Sequence, residues 1–434
     1  MTPSSSLYPT LCTLFLSLIS VDKIPNDALL LILIPPIILH GGYDLDKRVF
    51  FRNIGTILFL AFGGTLLAFV ITGLGLYYSC QIPSVGVDLP MRESLSFGAL
   101  VSASDPVVTL ALFSNMSVDP TLYMLVFGES TLNDAVAVVL CHTFSDFDPD
   151  EFGVTTALWL LVQVASIFIG SVVIGVVVGL VAARLFVSTP LHTQPNLEIV
   201  MTLPFAYLTY YLAEGLSCSG IMAILTTAFV LSHYVSPSLT VHSRQALKEI
   251  IHALSFVCEA VIFMFLGLSP FAYAMVFSPV FIAISMGLII GARIAVVYGL
   301  SSIANLWRRE RIPASDMFVM FWGGLKGPIS FGLALAFELE YRQLILGTTV
   351  FVVVFMVVFF GGTTYPIYNY LARRGTTQAI PASSSDSTSS ANNDRFKVYD
   401  EQRLIPMFRR NTGCGMLDNV DTPLLSANGS SAHF

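Results

Sequence analysis

The stretch Phe127-Gly128-Glu129-Ser130-Thr131-Leu132-Asn133-Asp134-Ala135-Val136 decides how this chain is read. It is apolar on both sides, yet it carries two carboxylates and an amide. At helical spacing Glu129 stands one turn before Asn133, and Ser130 one turn before Asp134. The two pairs make one polar stripe on an otherwise apolar helix. In lipid such a stripe has to face other protein or water.

Composition says that the surroundings are lipid. Of 434 residues, 55% are hydrophobic and only 11% charged, with mean hydropathy +0.76. A soluble domain carries ~25% charged residues. This chain cannot cover its own surface with polar groups, so the expected fold class is an all-α polytopic membrane protein. The net charge of -7 sits mostly in loops and the tail, and no basic face suited to nucleic acid is present. Cys12, Cys80, Cys141, Cys218, Cys258 and Cys414 are scattered without a C-x-x-C, which reads as small residues in apolar helices rather than disulfides or a metal site. There is no G-x-S-x-G, no H-E-x-x-H and no paired-aspartate protease signature, and of the histidines only His252 lies plainly inside a span. These absences weigh against an enzyme, and no cofactor is expected.

A spanning helix needs ~20 apolar residues. Candidates run at about 24–43, 53–78, 94–113, 121–141, 154–187, 198–213, 216–234, 245–268, 277–305, 315–337 and 343–372. Residues 1–23 form a short N-terminal segment, possible only as a helix remnant or a signal-like stretch; residues 24–374 form the transmembrane domain. Beyond Gly375 a polar tail with a Ser run at 383–390 is expected to be disordered. Lys47, Arg48, Arg52, Arg184, Arg244, Lys248, Arg308, Arg309 and Arg311 fall in one set of alternate loops, against Arg92 and Arg342 in the other. By the positive-inside rule the first set is cytosolic, and the tail with it. The acidic loop at 142–153 then lies outside or in a lumen. It is a solvated loop or a funnel that attracts cations.

Away from span ends, Asp105, Glu129, Asp134, Glu259, Arg293 and Lys326 stand out. On the insertion scale each costs ~2.5–3.5 kcal/mol at a helix centre. Six survive in one chain only if they pair or line a hydrated path. Glu129 and Arg293 can form a structural ion pair between helices. Glu259 reads as a buried or cavity-edge carboxylate. Asp134 has no cationic neighbour on its own helix, which leaves it for chemistry.

Two spans are interrupted beside a charge. In Ser102-Ala103-Ser104-Asp105-Pro106 the proline donates no hydrogen bond and strands the Ser102 carbonyl. Gly323-Gly324-Leu325-Lys326-Gly327-Pro328 repeats the pattern. Two such breaks, each late in its half, fit an inverted-repeat antiporter fold with two crossed discontinuous helices at the midplane. At the crossing, Asp105 can balance the partly positive half-helix N-termini, and Lys326 the partly negative C-termini. The transported ion then needs another ligand, and Asp134 with Asn133 is the candidate.

Leu33-Ile34-Pro35-Pro36-Ile37-Ile38-Leu39, Ala103-Ser104-Asp105-Pro106-Val107, Phe127-Gly128-Glu129-Ser130 with Asn133-Asp134-Ala135, Gly291-Ala292-Arg293 and Trp322-Gly323-Gly324-Leu325-Lys326-Gly327 together resemble the eukaryotic Na⁺/H⁺ exchanger family (NHE type) of the monovalent cation:proton antiporter superfamily. The resemblance covers roughly residues 24–372. It implies two inverted six-helix repeats, a homodimer, tail-binding regulators and an elevator-like alternating-access cycle. It implies an ion and proton site at Asp134 and Asn133, lined also by Asp105, Ser104 and Ser130, with Glu129, Arg293, Lys326 and Glu259 as structural charge partners. There are two departures. Lys326 stands where the family usually has Arg, so the charge is kept without the planar fork. The family has two spans before its Pro-Pro helix, where this sequence offers only residues 7–20; an N-terminal truncation is the expectation, and it bears on dimerisation.

The mechanism expected is competition. A carboxylate in a dry cavity is disfavoured while charged. A proton or a dehydrated Na⁺ or K⁺ on Asp134 relieves this, and the two exclude each other. With Asn133 rather than a second acid beside it, one charge is neutralised at a time, which gives electroneutral cation/proton antiport serving pH and cation homeostasis. The alternatives are a transport-inactive sensor or scaffold, and a cation channel. The pattern Asp421-Thr422-Pro423-Leu424-Leu425 resembles a sorting signal and favours Golgi or endosome over plasma membrane. Asn115-Met116-Ser117 and Asn428-Gly429-Ser430 fit the glycosylation pattern but fall on the cytosolic side.

Overall fold

The computed structural model describes residues 26–45, 47–83, 86–105, 119–145, 154–189, 194–273, 275–308, 311–324, 326–335, 340–373 and 404–408. In chain order, α1 is Asn26–Asp44. α2 runs Lys47–Leu58, through a π turn at Phe59–Gly63, into Gly64–Cys80. α3 is Met91–Ser102, α4 Pro120–Ser145, α5 Val154–Ser188 and α6 Pro195–Gly215. α7 is Gly220–Val230 with a π turn at Leu231–Val235, and α8 is Val241–Ala272. α9 is Pro279–Ile294 with a π turn at Ala295–Leu300. α10 is Ala314–Trp322 and α11 Pro328–Leu335. α12 runs Arg342–Phe355, through a π turn at Met356–Gly361, into Gly362–Arg373, and α13 is Ile405–Phe408.

The protein is an integral, multi-pass, all-α membrane protein. Among the described residues, 7 helices are long and apolar enough to cross a membrane. Of the four remaining spans expected from sequence, the one at 24–43 is a shorter apolar helix over Leu31–Asp44, and the other three have physical reasons for falling short. α6 carries Glu198, Glu214 and three tyrosines. The span expected at 94–113 is helical only to Ser102, where Ala103 leaves the helix at φ -54, ψ 138. Pro106 and the rest of that span lie outside the described residues. The span expected at 315–337 is split into α10 and α11 by the glycine-rich break.

Packing divides the interior into two apolar cores, one above the other along the helix axes. The first holds Ile38, Ile57, Leu125, Ile224, Ile251, Val297 and Met320. The second holds Phe69, Phe97, Val136, Leu266, Phe281, Ile289 and Phe331. α2, α4, α5, α8 and α9 pass from one to the other, whereas α12 stays in the second. α4 changes core between Ala135 and Val136, α9 between Ile289 and Val297, and the broken pair between Met320 and Phe331. The charged residues of the sequence fall at these changeovers. They form a polar waist between two greasy layers.

α2 and α3 make the closest helix pair across the second core. A Cβ on Gly98 would stand 2.7 Å from the Gly73 amide nitrogen, so the two backbones touch where both residues lack side chains.

The polar tail is not unstructured throughout. Leu404, Ile405 and Phe408 pack on the first core, the Phe408 ring lies 5.8 Å from Tyr234, and Arg184 at the end of α5 donates to the Met407 carbonyl at 3.2 Å. The correction has a plain cause: Leu404-Ile405-Pro406-Met407-Phe408 is an apolar island in a polar sequence. The Ser run, the D-x-x-L-L pattern, both glycosylation patterns and the segment 1–23 lie outside the described residues.

Gly98→Leu would force apart two touching backbones. Overpacking of this kind costs ~1–3 kcal/mol, so the expected result is a lower unfolding temperature in detergent. Gly287→Ala, where a Cβ meets open space, should leave it unchanged.

Candidate functional site: a charged crossing in a polar waist

The site is built on α4, the helix of the opening stretch. Glu129, Ser130, Asn133 and Asp134 are all buried, Asp134 to 2% exposure. Burial on every side of α4 is why a polar stripe can sit there without meeting lipid.

The first partner comes from α9. Arg293 Nη1 donates to Glu129 Oε1, and Nη2 donates to Glu129 Oε2 at 3.2 Å, a forked pair across two helices. Nη2 also donates to the Met320 carbonyl at 2.8 Å, near the end of α10. One guanidinium thus ties α4, α9 and α10 together. Gly324 makes room for it: a Cβ there would overlap the Arg293 Nε.

The second partner comes from the break after α10. Lys326 Nζ donates to the Ser102 carbonyl at 3.1 Å and to the Ala103 carbonyl at 3.0 Å. These are carbonyls left at the end of α3, where the partial charge is negative. The ammonium is a point donor and needs no fork for this role. On the other side, Asp105 lies against Gly327, where a Cβ would overlap the Asp105 carboxyl. That places Asp105 next to the start of α11. The two breaks therefore cross with a cation on a C-terminus and an anion beside an N-terminus.

Around the crossing runs a short hydroxyl chain. Asn133 Nδ2 donates to Ser104 Oγ at 3.0 Å, and Ser104 Oγ donates to Ser130 Oγ at 3.3 Å. Asp134 lies beside the Ser104 amide and within electrostatic reach of Asp105 and Lys326. Asn133 Oδ1 and Asp134 Oδ1 are buried with no hydrogen-bond partner among the described residues. Buried oxygens left this way are the acceptors that a proton or a hard cation would use.

A small cavity of ≈ 20 Å³ lies at this level, lined by Thr72, Ser102, Glu129, Asn133, Arg293 and Lys326 among others. That is room for about one water on the scale where ~10–15 Å³ suffices. Of the expected ion-site residues only Asn133 lines it; Asp134, Asp105, Ser104 and Ser130 do not. Thr72 and the Met320 carbonyl were not legible as site residues. A threonine in an apolar helix ordinarily bonds its own backbone, as Thr72 does to Ala68 at 2.6 Å. Glu259 lies apart from the crossing, on α8, where Ser255 Oγ donates to it at 3.0 Å.

The profile described as "Sodium/hydrogen exchanger, transmembrane" matches residues 11–370. The chain belongs to the sodium/hydrogen exchanger family. Human sodium/hydrogen exchanger 8 is 41% identical over 345 residues, covering 78% of this chain and 59% of that protein. Sodium/hydrogen exchanger 9 of Equus caballus is 36% identical over 356 residues, covering 79% of this chain and 55% of that protein. The chain thus spans under two thirds of the length of these exchangers. The solved sodium proton antiporter MjNhaP1 from Methanocaldococcus jannaschii shares the fold at TM-score 0.62 with 18% identity, covering 86% of this chain and 92% of that one.

Glu129→Gln removes one partner of a buried pair and leaves Arg293 uncompensated. Breaking such a pair costs ~3–5 kcal/mol, so this exchanger-family variant should unfold at a markedly lower temperature. An unchanged unfolding temperature would mean that the pair is not what ties α4 to α9.

Proposed function

We propose that this chain exchanges a monovalent cation for a proton across its membrane by alternating access, with Asp134 carrying each in turn and Asn133 beside it. One observation carries this reading: the buried, unpartnered oxygens of Asp134 and Asn133 stand in a waist whose cations are already engaged. Arg293 is held by Glu129 and the Met320 carbonyl, and Lys326 by the Ser102 and Ala103 carbonyls.

The charges at the crossing set the stoichiometry. Glu129, Asp105 and Asp134 bring three negative charges against two positive charges on Arg293 and Lys326. One negative charge is left over. A single proton or a single monovalent cation neutralises it, and both together would overshoot. Exchange is then one for one and electroneutral. Asp105, Ser104 and Ser130 hold the geometry around the carried ion. Na⁺ is the first candidate because the relatives carry sodium in their names. K⁺ takes the same oxygen ligands and is the competitor to test.

The loop charges support a cytosolic tail, and the Asp421–Leu425 pattern supports an endomembrane address. A homodimer and tail-binding regulators complete the reading by family resemblance.

In proteoliposomes, Asp134→Asn should reduce pH-gradient-driven Na⁺ flux to the level of empty vesicles while the unfolding temperature stays close to that of the parent. Flux retained in that variant would overturn the assignment. For the parent, imposing a membrane potential with an ion that is not transported should leave the rate unchanged, and a rate that follows the potential would overturn the one-for-one count.

A further inference from the structure

A polar ladder runs along the seam where α1 packs on α8, outside the crossing. On α8, Lys248, His252, Ser255 and Glu259 follow at steps of four, three and four residues, which is one face of a helix. On α1, His40 and Asp44 stand one turn apart. The rungs meet across the seam. Lys248 Nζ lies 3.3 Å from Asp44 Oδ1, and the His40 and His252 rings are 5.0 Å apart and tilted by 51°. Ser255 Oγ then donates to Glu259. The first rung is at the loop end of both helices and is more than half exposed. Glu259 lies roughly 27 Å along α8 from Val241 at 1.5 Å per residue. There α8 passes from the core of Ile251 to the core of Leu266. α1 and α8 both pack on α11, the half-helix that starts beside Lys326.

We propose that this seam binds and relays the exchanged proton on the Asp44–Lys248 side, with His40 and His252 as its proton-holding pair and Glu259 as its inner acceptor. The proposal rests on the antiport reading, and that side is cytosolic by the loop charges. Two imidazoles this close favour a single shared positive charge, because a second proton meets a like charge. The electrostatic neighbours of His40 are Asp44 and His252. Asp44 and the nearby C-terminal end of α1 favour the first proton. The elements packed on α1 bring Arg244 and Lys248 from α8, Tyr207 from α6, and His233 and Tyr234 from the π turn after α7. α11 and the helical part of α7 bring no titratable group. In the relay, water in the seam gives a proton to a ring nitrogen. The imidazolium passes it on as the Ser255 hydroxyl delivers its own proton to Glu259 and takes one back. The imidazoles return to neutral, and Glu259 holds the proton as a neutral carboxyl.

The test uses the full chain in vesicles of one orientation, with pH varied on one side at a time. Exchange should depend steeply on pH at the Asp44 side. His40→Gln with His252→Gln should flatten that dependence on that side alone, with the KM for Na⁺ unchanged. Asp44→Asn removes a carboxylate that favours the protonated pair, so its midpoint should move to lower pH. An unaltered profile in the double variant, or a change equal on both sides, would overturn the proposal. A readout that needs no transport is the ¹⁵N-histidine NMR titration of the chain in nanodiscs. The pair should titrate in two separated steps, which collapse to one when either partner is Gln. Two independent, single-step titrations would overturn it. Parent protein without any exchange would overturn the antiport reading, and the NMR titration would still decide the pair.

Discussion

The arrangement depends on one ammonium group holding two backbone carbonyls. A helix that stops in the middle of a membrane leaves carbonyls that neither lipid nor the next turn can satisfy. Lys326 satisfies those of Ser102 and Ala103 from the opposite break. Without it α3 could not end where it does. With it, the end of α3 becomes a fixed edge against which Ser104, Ser130 and Asn133 are lined up. The glycines on either side of Lys326 belong to the same constraint, since Gly324 leaves space for Arg293 and Gly327 for Asp105.

The waist explains why the charges can be there at all. Leu125, Ile251 and Val297 on one side, and Val136, Leu266 and Ile289 on the other, seal the crossing between two apolar layers. A charge pair in such a position is dry, and its strength depends on complete hydrogen bonding rather than on proximity alone. The Glu129–Arg293 fork meets that condition on its carboxylate side. Asp134 does not: its Oδ1, like Asn133 Oδ1, is buried without a hydrogen-bond partner among the described residues.

Much of this was legible in the sequence for local reasons. The two Pro breaks, the six charges within spans and the stripe on α4 are one-dimensional signals, and helical periodicity places them on faces. The pairing of Glu129 with Arg293 was legible because each is otherwise unaffordable in lipid. What sequence could not supply was the partner that lies at no fixed spacing. The Met320 carbonyl is backbone, identical in every residue, and nothing in the chain marks it. Thr72 lines the cavity only because α2 and α3 touch at Gly73 and Gly98. The seam between α1 and α8 was half visible: His252 stood out inside a span, whereas His40 acquires meaning only from a contact between helices far apart in the chain. The docked turn at Leu404–Phe408 was hidden by averaging over a polar tail.

The shared guanidinium of Arg293 has a mechanical consequence. It grips α4 through Glu129 and α10 through the Met320 carbonyl, while Lys326 grips α3. Helices fastened at their middles by such ties cannot slide past one another without exposing a bare charge. They travel together or not at all. On the antiport reading, an ion lodged among them is freight in a closed carriage, and the surfaces along which the carriage runs are the apolar ones, where no bond has to break.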